Sequence, residues 1–146
     1  HIATCEAGMV YDTKAKACVA IKESRLSDDA LYEQARALAY AKRYADIIPV
    51  LDTMSEGDTP RVLTMRGFAT RKSGDFENAK ALYLAALDLD PNHWQARSYL
   101  GQGYVEIGDS ASARAQLRLI RTSGGRGTWA EISLRDAIAK GAGFSY

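Results

Sequence analysis

The 146-residue chain has no apolar run approaching the roughly 20 residues that cross a bilayer, so membrane insertion is not expected. It also lacks an excess of either charge: 19 Lys and Arg against 18 Asp and Glu leave +1. A generic nucleic-acid binder draws its affinity from counterion release along a basic surface, and that class is set aside. Histidine and cysteine are scarce, with two of each. Cys5, Cys18 and His1 fall short of the four ligands of a structural zinc site, so no metal is expected, and nothing implies a cofactor. No leader is evident, but the chain starts at His1 rather than methionine; a mature or truncated form fits, and the missing leader then says nothing. What remains, 47% hydrophobic and 25% charged residues, is ordinary for one globular domain with a continuous core.

Both cysteines lie in the first 26 residues, the one stretch without an apolar helix face. Met9 to Tyr11 and Ala17 to Val19 read as short strands, with Asp12-Thr13-Lys14 as the turn. A Cys5–Cys18 bridge would stabilise so small a segment by about 3 kcal/mol and imply an oxidising compartment, periplasmic or secreted. Two free thiols in a cytoplasmic protein are the alternative. Ile2-Ala3-Thr4-Cys5 is weakly similar to a bacterial lipoprotein cleavage site, a minor option beside the bridge.

Ala20 to Leu26 is mostly polar and reads as a linker, giving an expected division into residues 1–26 and 27–146. From Ser27 onward the pattern is helical. Ser27-Asp28-Asp29 opens a helix with Leu31, Ala35, Leu38 and Ala39 on one face, ending near Lys42-Arg43. A second helix carries Tyr44, Ile47, Ile48, Leu51 and Met54, with Pro49 near its first turn. The next unit runs from Pro60 to about Leu89 and turns at Gly74. A third has Asn92 as its expected cap, then Trp94, Leu100, Gly101 and Tyr104, a turn at Gly108-Asp109-Ser110, and Ala113, Leu117 and Ile120. Thr128 caps a last helix bearing Trp129, Ile132, Leu134 and Ile138, and Gly141-Ala142-Gly143 releases a tail.

A step of 34 residues takes Gly67 to Gly101, Gly74 to Gly108, Asp75 to Asp109 and Ala79 to Ala113. The first unit is offset by 32: Ala35 to Gly67, Tyr44 to Phe76 and Leu51 to Tyr83. Such recurrence means a helix pair used again, because a lone pair cannot bury its apolar face. In Leu100-Gly101-x-x-Tyr104, Ala79-x-x-x-Tyr83 and Pro91 the units resemble the tetratricopeptide repeat. Arg66 and Thr70 stand where Leu and Tyr are usual, Leu117 replaces the aromatic, and Gly125 takes the place of Pro. The likeness covers about Asp28 to Lys140. A secreted bacterial class with a short Cys-containing loop before such repeats is also similar.

The resemblance implies an all-α protein: a right-handed α-solenoid of about three helix pairs plus a C-terminal capping helix, preceded by a Cys-loop or β-hairpin. It also implies a concave groove, lined by the first helix of each pair, that holds a peptide or a partner's helix without catalysis. Taking the stripe that the core does not claim, groove-facing residues are Tyr32, Arg36 and Tyr40 in the first pair. In the second they are Arg61, Thr64, Phe68, Arg71 and Lys72, and in the third Gln95, Ser98, Gln102 and Glu106. Rings bury apolar side chains, Arg pairs with carboxylates and amides bond a backbone, so the expected partner is an acidic or amphipathic peptide or protein. Some members hold a terminal carboxylate with Lys, Asn and Arg; Arg36 and Arg71 qualify, but the paired Asn residues have no counterparts.

Other readings are weaker. Gly124-Gly125-Arg126-Gly127 lacks the Gly-Lys-Ser/Thr ending and the preceding strand of a phosphate cradle. His93, the only internal histidine, reads as a solvent-facing loop residue rather than a general base. Trp94 is expected to pack on the preceding pair and Trp129 against the last groove wall. A self-associating component of an envelope assembly is the alternative to a binding scaffold.

Overall fold

Ser27 does what its position requires: its Oγ accepts the N–H of Ala30, and α1 (Asp28–Tyr40) begins there in a computed structural model that describes residues 4–141. His1, Ile2 and Ala3, with most of the lipoprotein-like stretch, and the Ala142-Gly143 tail lie outside the described residues. Next come α2 (Ile47–Leu51), α3 (Pro60–Lys72), α4 (Phe76–Leu89), α5 (Trp94–Glu106), α6 (Ser110–Thr122) and α7 (Trp129–Lys140). Helices α1 and α2, α3 and α4, and α5 and α6 form packed pairs, with α7 laid against α5 and α6. The fold is the helical-repeat solenoid that the sequence pattern implies.

The turns inside the pairs repeat bond for bond. Gly74 and Gly108 adopt φ of 95° and 85°, and the next residue donates its N–H back five places, Asp75 to Thr70 and Asp109 to Tyr104. The first pair closes the same way with Arg43 to Leu38, yet its left-handed residue is Lys42 at φ 59°. Asp75 and Asp109 then accept the N–H groups of Asn78 and Ser112, starting α4 and α6. The expected cap Asn92 is displaced: α5 starts after His93, whose side chain makes no capping bond.

The second helix is shorter than expected. Tyr44–Asp46 is a 3-10 turn, and α2 proper has five residues against fourteen in α4. Pro49 offers no N–H to the carbonyl of Ala45, four places back, so the α-helical bonding of α2 does not reach back over Ala45. Its apolar residues still reach the core: Ile47, Val50, Leu51 and Met54 are buried.

The hairpin forms as β1 (Met9–Asp12) and β2 (Ala17–Ala20), antiparallel, with Tyr11 opposite Cys18. Asp12 Oδ1 accepts from the N–H of Lys14 and Ala15, which makes the turn. Cys5 and Cys18 are joined, Sγ to Sγ 2.05 Å. Residues 21–23, read as linker, form a 3-10 turn, and Ile21 is buried with Val10 in the same core cluster as Leu31, Phe68 and Leu100. The buried Gln34 amide fixes the strand edge by accepting from Tyr11 N–H (3.2 Å) and donating to Tyr11 C=O (3.1 Å). Arg43 adds a hydrogen bond to the Cys5 carbonyl.

Candidate functional site

The C-terminal cap shapes the site. Thr128 Oγ1 accepts from Glu131 N–H and starts α7, while Glu131 accepts from Gly127 N–H at 2.9 Å and from Arg121 Nε at 2.7 Å. That carboxylate fills the Gly-rich turn, and Gly125 is pressed against Ile120 and Trp94, so the segment packs protein rather than phosphate. The Gly127 N–H, then Arg121, hold the Glu131 carboxyl below the usual range. Leu134 is buried where α7 crosses α5: a Cβ on Gly101 would lie 2.6 Å from its Cδ1.

Docked this way, the start of α7 faces α1 across the N-terminal end of α5 and leaves a cleft of about 530 Å³, a size suited to a peptide side chain or small ligand. Arg36 and Tyr40 come from α1, Gln95 and Tyr99 from α5, and Trp129 from α7. Tyr40 is 60% exposed and Trp129 41%. Trp129 stands edge-on to Tyr99 (centroids 5.4 Å), and Phe68 lies 5.1 Å beyond Tyr99 as the next layer. No carboxylate is among the described residues lining the cleft, where Arg36 is the lining side chain that stays charged. Arg36 also meets Glu33 at 3.3 Å on its own helix.

His93 lines the same cleft, and its imidazole is only 20% exposed rather than solvent-facing. Nδ1 lies 3.7 Å from Asp90, Nε2 is buried without a partner, and burial holds the ring's pKa below the ordinary 6.5 against the pull of Asp90. The imidazole is therefore neutral at pH 7. Trp94 turns forward, not back: it packs with Leu117, Ile120 and Leu134, and its Nε1 donates to Ser123 Oγ at 3.0 Å.

Of the twelve groove residues expected from the sequence, Arg36, Tyr40 and Gln95 line this cleft. Arg61 and Tyr32 sit together nearby, the guanidinium 4.8 Å over the ring, with Arg61 forked onto Glu56 and reaching Asp29 at 2.9 Å. Thr64, Phe68, Arg71, Ser98 and Gln102 are not on an unclaimed stripe; all five are buried. Thr64 Oγ1 donates to Pro60 C=O, and Ser98 and Gln102 bond Ser133, tying α5 to α7. Lys72 is half-buried, its ammonium over the Phe68 ring, and Glu106 pairs with Arg71. The sequence reading missed His93, Asn92 and Tyr99 as lining residues; the signal was the capping helix, which must lie over the start of α5.

Among the described residues, no group of three or more His, Cys, Asp or Glu is arranged to hold a metal, and no helix is long and apolar enough to cross a membrane. No curated protein and no solved structure matches the chain. Residues 71–124, from the last turn of α3 to the turn after α6, match the family model described as tetratricopeptide repeat. With the bond-for-bond recurrence of the helix pairs, that match supports tetratricopeptide repeats over this stretch, units that generally mediate protein–protein interaction.

Proposed function

We propose that the protein is a non-catalytic scaffold that binds an acidic or amphipathic peptide segment of a partner in the cleft between α1, α5 and α7. The observation that carries this reading is the exposed Tyr40 and Trp129 lining one cavity that also holds Arg36 and, among the described residues, no lining carboxylate. The rings would take apolar side chains and Arg36 an acidic one, with Gln95 bonding the peptide backbone. The linked cysteines suit an oxidising compartment, and we place the protein in a periplasm or outside the cell.

The test is selection from a random peptide library on the intact protein, repeated with Arg36→Glu plus Trp129→Ala. Both side chains are substantially exposed, so helical circular dichroism should be unchanged while the selected peptides bind at least 10-fold more weakly. Retained binding would move the site to the outer helices or the hairpin. Self-association is a second reading, favoured by exposed Leu84 and Leu89 on α4, Leu119 on α6 and Ile132 on α7. It predicts concentration-dependent dimers in sedimentation that Ile132→Glu abolishes.

A further inference from the structure

The hairpin has one tied edge and one open edge. Ile21 donates its N–H to Gly8 C=O, and the ladder then alternates, so Val19 and Ala17 also turn their backbone groups toward β1. Tyr11 and Cys18 oppose each other between those rungs, and their backbone groups point outward on opposite sides. On the β1 side the Gln34 amide takes both groups of Tyr11. On the β2 side the N–H and C=O of Cys18 and the N–H of Ala20 meet no partner among the described residues. Ala17 and Cys18 are exposed, and Val19 and Ala20 half-buried, so this edge is open to solvent.

The charge along the open edge is of one sign. From Thr13 to Lys22 the chain carries Lys14, Lys16 and Lys22, all exposed, and no acidic residue. Lys16 and Lys22 each stand three residues from Val19, so a second copy of β2 paired antiparallel about that residue would set lysine against lysine. The same side chains favour an incoming strand that carries Asp or Glu. The Cys5–Cys18 bridge and Gln34 hold the edge in place before any partner arrives, which lowers the ordering cost of pairing. A recess of about 550 Å³ lies against the same strand, lined by Val19 and Leu26, by Lys14 and Arg25, and by Asp12 and Glu23. Side chains alternate across a strand, so those on the Val19 face of a docked segment would meet that recess.

We propose that β2 is a docking edge for an extended acidic segment of a partner protein, which adds a third strand to the hairpin through Cys18 and Ala20. The site is separate from the cleft, which no hairpin residue lines among the described residues, and it does not rest on peptide binding there.

The probes are a capped pentapeptide of alternating Glu and Val and the same peptide with Lys for Glu. In the intact, oxidised protein the acidic peptide should slow amide exchange at Cys18 and Ala20, at about 10-fold lower concentration than the basic one. Methylating every backbone nitrogen of the acidic peptide should abolish the slowing. Ala20→Pro is the matched variant: φ is already −59° there and the N–H points away from β1, so proline removes an outward donor and spares the ladder. It should weaken the acidic peptide about 10-fold with thermal unfolding unchanged; should it disturb the hairpin, the methylated peptide decides. Lys14→Glu with Lys22→Glu should reverse the preference toward the basic peptide. Arg36→Glu plus Trp129→Ala should leave the slowing intact, which separates this edge from the cleft. Equal action of the two peptides, unslowed exchange at Cys18 and Ala20, or full action of the methylated peptide would overturn the proposal. Slowing of those amides by protein concentration alone would also overturn it, assigning the edge to a second copy.

Discussion

The two ends of the stack are closed by different means. At the C-terminal end a regular helix does it: α7 buries Ala130, Leu134 and Ala137 against α5 and α6, and Ser133 bonds Ser98. At the N-terminal end the chain has a five-residue α2 and a lysine in a glycine's conformation. A crosslinked hairpin makes up the difference, lending Val10 and Ile21 to the core and anchoring its edge on Gln34. The contrast teaches that a helical repeat array must cover its terminal faces, but that the cover need not be helical. It also explains where the cleft is: α7 reaches over α5 toward α1, and the hairpin lies elsewhere.

The largest effect should come from Leu134→Ala, which empties a fully buried position under Gly101 and should cost about 3 kcal/mol. Hydrogen exchange should show α6 and α7 loosened while α1 keeps its protection. Replacing Cys5 and Cys18 by serine should cost about 2 to 3 kcal/mol, with faster exchange confined to β1, β2 and α1. Uniform loosening in either variant would mean that the ends are not independent.

The inner helices show why the sequence revealed the fold better than the site. Caps at Ser27, Asp75, Asp109 and Thr128, and turns at Gly74 and Gly108, are local events that the sequence spells out. A binding face depends on what lies on every side of a helix, which periodicity does not state. Helix α1 ends the stack, so its stripe of Tyr32, Arg36 and Tyr40 stays at least partly exposed. Helix α3 is enclosed, with Val62, Thr64, Met65, Phe68 and Arg71 buried together, so of the stripe assigned to its groove Arg61 and Lys72 alone stay partly exposed. Trp94 was misdirected for the same reason, because α6 and α7 cover it from the C-terminal side.

Acid should separate the two ends more gently. The depressed carboxyl of Glu131 contributes its stability above the ordinary carboxylate range and loses it as pH falls through its lower folded value. Amides at the start of α7 should therefore exchange faster near pH 3 than at pH 6, beyond the intrinsic change, and Glu131→Gln should remove that extra pH dependence. The Cys5–Cys18 bridge and the Gln34 amide carry none. The smallest effect is a gain: Lys42→Gly relieves a left-handed lysine and should raise stability by up to about 1 kcal/mol, read in denaturant unfolding. Gly74→Ala, at φ 95° in the matching turn, should lower it.

The most direct test of the cleft is an amide-shift map of the intact, oxidised protein with a library-selected peptide. Shifts centred on Arg36, Tyr40, Gln95 and Trp129 are the predicted result. Shifts confined to the outer helices α4 and α6, with those four residues unmoved, would contradict it.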